Sequence, residues 1–231
     1  GNLQVMFEYQ TMIAELTGLE VSNASVYEGP SAMAAAGYLA QGVGGRGKFV
    51  VSSAVNPQYR QTLKTNAHGY GAEVVEVAAV DGLTDPAQLA EAVDEDTSAV
   101  FVQYPNFFGS IEDLAALTEA AHAKGALLVC VADPLTLGVL APPGDFGVDI
   151  CVGEGQTLGN RLDFGGPSFG FFAATNKLIR RMPGRIAGET VDADGRRGWV
   201  LTLQTREQHI RREKATSNIC TSQALNALAG T

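Results

Sequence analysis

Apolar residues along this chain alternate between short unbroken runs and longer stretches at helical spacing, and the alternation holds from the first residues to about position 133. The helical spacing predicts helices over 3–16, 30–41, 57–66, 86–93 and 111–122, with Gly18 as a stop for the first and Pro30 as a first-turn proline of the second. The unbroken runs at 49–51, 73–77, 99–103 and 126–131 predict strands. Strands alternating with helices of this length make right-handed crossovers, so the expected fold class is α/β, a mainly parallel sheet with helices on both faces. Beyond Asp133 the rhythm breaks: glycine and proline crowd 138–170, with one apolar run at 148–152. A strand at 169–173, a short helix at 176–182 and a strand at 199–203 follow. Ligands of open parallel sheets gather at the carboxyl ends of the strands, so a site is expected in the loops after Val51, Gln103, Val131 and Cys151.

Composition narrows the class. The chain has 231 residues, 45% hydrophobic and 18% charged, which excludes a disordered chain, and no apolar window is long enough for a membrane span. The net charge of -9 hides an asymmetry: residues 1–176 carry 6 basic and 20 acidic side chains, residues 177–231 carry 10 and 5. The basic end has one aromatic residue, Trp199, and no nucleic-acid recognition motif, so it is expected to face protein or an anion rather than nucleic acid. Cys130, Cys151 and Cys220 are odd in number and widely spaced, and the first seven residues show no secretion signal, which together predict a reducing, cytoplasmic setting.

Two motif matches fail their structural tests. Gly42-Val43-Gly44-Gly45-Arg46-Gly47-Lys48-Phe49 resembles phosphate-binding glycine loops, but those need a strand before and a helix after, and here the order is reversed. Gly166-Pro167-Ser168-Phe169-Gly170 matches the GxSxG nucleophile elbow, with His209 and Asp192 or Asp194 as partners. It reads as a turn before a strand, and a serine hydrolase using Ser168 is the weakest of the functional alternatives.

Asp133 stands at the tip of an apolar strand, where a carboxylate can pair with the protonated ring nitrogen of a pyridoxal cofactor; a turn or cap aspartate is the plain alternative. Such a cofactor also needs a lysine further along the chain. The five lysines are Lys48, Lys64, Lys124, Lys177 and Lys214, and none falls between Cys151 and Gly166.

Several segments carry a family resemblance: Phe7-Glu8-Tyr9-Gln10-Thr11-Met12-Ile13-Ala14-Glu15-Leu16-Thr17-Gly18-Leu19, Gln103-Tyr104-Pro105-Asn106-Phe107-Phe108-Gly109, and Val131-Ala132-Asp133-Pro134-Leu135-Thr136-Leu137-Gly138-Val139-Leu140. Gly153-Glu154-Gly155-Gln156-Thr157-Leu158-Gly159, Phe164-Gly165-Gly166-Pro167 and Ile210-Arg211-Arg212-Glu213-Lys214-Ala215-Thr216-Ser217-Asn218-Ile219-Cys220-Thr221 continue it. Together they resemble the P-protein of the glycine cleavage system, glycine dehydrogenase (decarboxylating), in the first subunit of its two-subunit form. The resemblance implies the aspartate-aminotransferase-like (fold type I) pyridoxal-phosphate fold, and a heterotetramer in which the partner's half carries a His-Lys pair. At the equivalent spacing from Asp149-Ile150-Cys151 this chain has Gln156-Thr157, and Thr157 has no amine.

The implied role is therefore the subunit without the cofactor lysine. No catalytic and no metal-binding residue is assigned to it; Asp133, Gln156, Thr157, Gly165 and Gly166 are expected to line a degenerate pocket. Pyridoxal phosphate would be held by the partner, the catalytic subunit 2, and glycine and lipoylated H-protein would be the other ligands of the assembly. Residues 1–214 are expected to form the large domain, lacking an N-terminal portion in which the family has a Tyr-Thr-Pro-Tyr-Gln stretch, and 215–231 to begin a smaller C-terminal domain. The isolated chain is expected to be inactive. A ligand-free scaffold of the same fold is the alternative from another functional class.

Overall fold

The computed structural model describes residues 1–215, 219 and 222–231. Cys220 and most of the 216–221 part of the last resemblance segment lie outside the described residues. The chain opens with α1 (Asn2–Thr17), β1 (Val21–Ser22), α2 (Gly29–Gly44), β2 (Lys48–Ser52), α3 (Pro57–Gly69) and β3 (Glu73–Val77). A small hairpin, β4 (Ala79–Val80) and β5 (Leu83–Thr84), leads to α4 (Pro86–Ala92), β6 (Thr97–Tyr104), α5 (Leu114–His122) and β7 (Leu127–Ala132). After the glycine- and proline-rich region come β8 (Ile150–Glu154), β9 (Gly170–Ala174), the hairpin β10 (Ile186–Val191) and β11 (Arg197–Thr202), then α6 (Gln208–Arg211) and α7 (Ala224–Gly230).

Seven strands form one sheet in the order β1-β9-β8-β7-β6-β2-β3. The pairs from β3 across to β8 are parallel, and β9 runs antiparallel to β8. The unbroken apolar runs have a physical reason, because both faces of the sheet are covered. Along β6, Val100 and Val102 pack into the core beneath α1, α4 and α5, while Ala99 and Phe101 pack into the core beneath α2 and α3. Phe101 is completely buried, and truncating it to alanine costs about 3–5 kcal/mol.

Helix starts follow the sequence signals. Asn56 and Asp85 each accept a backbone N–H of the first turn and precede a first-turn proline, and Glu28 accepts from Ser31 N at the head of α2. The helix expected over 111–122 begins only at Leu114. Asp113 caps it there, and Glu112 is withdrawn into the interior, accepting from Thr84 N and Oγ1 and from Asn106 Nδ2. Strand β10 was not expected; its hairpin turns at Asp194-Gly195, where the Asp192 carboxylate accepts from Asp194 N and Arg196 N. The end of the chain folds back, with α7 packed on α1 and on the 3-10 turn Gln156–Leu158. Among the described residues no helix is long and apolar enough to cross a membrane.

Candidate functional site

A cleft of about 200 Å³ opens at the carboxyl ends of β6, β7 and β8. Gln103, Val131, Ala132, Asp133 and Glu154 line it from the strand ends, Asn56 and Tyr59 from the start of α3, and Thr157 from the following turn. The parallel sheet causes this convergence, since strands pointing the same way deliver their last residues to one edge.

Asp133 and Thr157 thus border the same cavity. Asp133 also makes a turn, its Oδ1 accepting from Leu135 N at 3.0 Å, as the plain reading of this residue has it. Gln156 is adjacent, with its side chain donating to Arg161 O. Gly165 and Gly166, expected with them, are not in the lining of this cleft: 163–166 is a tight turn closed by Asp163 N to Gly166 O at 2.7 Å, and Gly165 takes its positive φ of 86°. None of the five lysines lines the cleft. Lys48, Lys64, Lys124 and Lys177 are ion-paired to Asp94, Glu76, Glu95 and Asp149, and Lys214 borders a small cavity beside Tyr38 and Arg181.

Glu154, not expected as a site residue, is the hub. Its Oε2 accepts from Gly29 N at 3.0 Å, and its Oε1 accepts from Gln156 N and Phe169 N at 3.1 Å each. One carboxylate thereby ties the head of α2, the Thr157 turn and the entry to β9. Burial pushes its pKa up, against the three backbone N–H groups that lower it, and the nearby Glu28 charge raises it further. Tyr59 lies over Gly29: a Cβ on that glycine would stand 1.8 Å from the Tyr59 hydroxyl. Burial and then the charges of Glu154, Glu28 and Asp133 push the Tyr59 hydroxyl pKa up. The available signal for Glu154 was its place at the end of an apolar run, as with Asp133; nothing local announces Tyr59.

The residues do not fit pyridoxal phosphate. The cleft offers no amine; its charged side chains are two carboxylates; and the helix head that could receive a phosphate already has its N–H groups on Glu28 and Glu154.

The two motifs read as turns are turns. Gly44 ends α2 and Lys48 begins β2, a helix-to-strand connection. Ser168 lies just before β9 with no strand-to-helix elbow, while His209 pairs with Glu207 and lines a different cavity with Arg185, Gln208 and Arg212. Of the basic end, Arg206 points inward, donating to Met182 O, Gly184 O and Leu203 O, whereas Arg180, Arg181, Arg211 and Arg212 are exposed.

A mainly parallel sheet with one antiparallel strand and a cleft at the strand ends is the large-domain fold of the type I pyridoxal-phosphate enzymes. Cystathionine gamma-lyase from Lactobacillus plantarum superposes on 76% of this chain and 43% of its own, with a TM-score of 0.60 at 18% identity, which speaks for the fold alone. Within that class the sequence is specific: residues 1–231 match the family "Glycine cleavage system P-protein", and the chain belongs to it. It is 57% identical over 231 residues to the "Probable glycine dehydrogenase (decarboxylating) subunit 1" of Desulforamulus reducens, and 57% over 230 residues to the protein of that name from Geotalea daltonii. In each case all of this chain is covered and 52% of the relative, so the chain spans about half the length of the curated relatives it matches. A crystal structure of glycine decarboxylase (P-protein) of the glycine cleavage system in inhibitor-bound form covers the whole chain, and 52% of its own, at TM-score 0.96 and 52% identity.

Proposed function

We propose that this chain is the cofactor-free half of a two-subunit glycine decarboxylase. It pairs with a catalytic subunit that holds pyridoxal phosphate; the assembly decarboxylates glycine and passes the remaining aminomethyl group to the lipoyl arm of H-protein. The carrying observation is that Asp133 and Thr157 border one cleft from which every lysine is absent. The relatives' name, subunit 1, supports a second subunit. Cys130 and Cys151, buried, unbridged and opposite one another on neighbouring strands, support a reducing compartment, the cytoplasm.

The chain's own part follows from its residues. In this reading the cleft is a wall held by the Glu154 bonds, and the exposed arginines of the basic end are available to the partner. The test is reconstitution. Mixed with the catalytic subunit, the protein is expected to form a complex on size exclusion and to support glycine–bicarbonate exchange, and to do neither alone. Exchange by the chain by itself, with pyridoxal-type absorbance, overturns the reading; absence of any complex favours the scaffold alternative.

A further inference from the structure

The cleft is more than short of a lysine. Helix α2 is 16 residues long, and such a helix head attracts anions because its first N–H groups lack helical partners and its dipole favours negative charge. Here those groups are served from within. Both Glu28 oxygens accept from Ser31 N at 3.1 Å, and Glu154, brought in from 125 residues away, accepts from Gly29 N at 3.0 Å. The Tyr59 ring closes over Gly29, in space that only a residue without a side chain leaves open. An arriving phosphate would have to displace Glu154 and enter beside Glu28 and Asp133, with no cation in the lining to compensate.

We propose that Glu154 is a built-in anion that takes the place of an external phosphate at the head of α2 and, with Tyr59 above it, shuts the cleft to phosphorylated ligands. This rests on reading the chain as the cofactor-free subunit and adds the reason the cleft stays closed. Glu154 is accordingly a positioning residue: it fixes Gly29, Gln156 and Phe169 relative to one another and so sets the Thr157 turn.

Titration calorimetry with inorganic phosphate and with pyridoxal phosphate tests it, on the full-length protein and on two variants. Glu154→Gln removes the charge and leaves Gly29 N–H facing another donor; Glu154→Gln/Tyr59→Ala also opens the space above the helix head. The wild type is expected to show no saturable phosphate binding at millimolar concentration, and the double variant to bind phosphate about tenfold tighter or better. A folded double variant that binds no tighter than wild type removes the role of Glu154 and leaves the cofactor-free reading intact. Saturable pyridoxal phosphate binding by the wild type removes both. If the double variant does not fold, the wild-type Gly29 amide resonance decides: it is expected to stay unmoved by phosphate, and a saturable phosphate-dependent shift overturns the proposal.

Discussion

Two carboxylates bracket the same strand and live in opposite chemistry. Asp149, just before β8, is buried and accepts from His122 Nε2 at 2.7 Å, Lys177 Nζ at 2.8 Å and Leu128 N at 2.9 Å. Glu154, at the other end of β8, meets backbone N–H groups alone, with Glu28 nearby. At the amino end of the strand the carboxylate therefore meets Lys177 and His122, and at the carboxyl end it borders a cleft whose lining holds no lysine or arginine. Lys177 belongs to the wrong edge of the sheet to serve the cleft, because β9 runs antiparallel to β8 and returns the chain to the Asp149 end. The paired carboxylate ties elements together; the unpaired one keeps a raised pKa and fills an anion site.

The largest expected break in that comparison is Asp149→Ala, which strands Leu128 N in the interior and unties α5 and the segment after β9. A loss of about 2–3 kcal/mol is expected by denaturant unfolding, and an unchanged midpoint would show that the ion pairs are peripheral. Glu154→Ala is expected to cost less, about 1–2 kcal/mol, because three N–H groups lose an acceptor while the crowding with Glu28 is relieved. Amide exchange is expected to quicken at Gly29, Gln156 and Phe169 and to stay slow at Leu128.

The acid response gives a finer separation. Since the folded chain raises the Glu154 pKa above its usual 4.5, folding favours the protonated carboxyl. That contribution is fully present below the unfolded value and is lost as pH rises through the raised folded one. The stability difference between wild type and Glu154→Gln is therefore expected to move in favour of wild type on acidification from neutrality; a flat difference would show a fully solvated carboxylate. The smallest effect is expected for Thr157→Lys. An amine alone is predicted to yield no borohydride-fixed pyridoxal adduct at residue 157 by mass spectrometry, because the phosphate position stays shut, whereas Thr157→Lys/Glu154→Gln/Tyr59→Ala is predicted to yield one.

Much of the scaffold was legible in the sequence, and for a plain reason. Buried parallel strands such as 99–103 must be apolar on both faces, and helix heads such as Asn56-Pro57 and Asp85-Pro86 solve a local hydrogen-bonding problem within a few residues. The hairpin arm containing β10 was missed because its glycine and polar positions blur the alternation. Asp133 could be named because it follows a recognisable strand, and Thr157 because the family resemblance puts a lysine at its place in the partner's half; Gly165 and Gly166 belong to a segment of the same resemblance and fall in a surface turn.

What the sequence determined by itself is the order of elements and the side chain each position carries, Thr157 among them, where the resemblance implies a lysine in the partner's half. Both are local facts, set by periodicity and by the side chain that a position carries. The closure of the cleft is not local. Gly29, Tyr59 and Glu154 come from three distant stretches and meet because parallel strands end on one edge while α2 and α3 pack across the face beside them. No window of sequence contains that meeting; only the folded sheet brings a carboxylate to the head of a helix more than a hundred residues earlier.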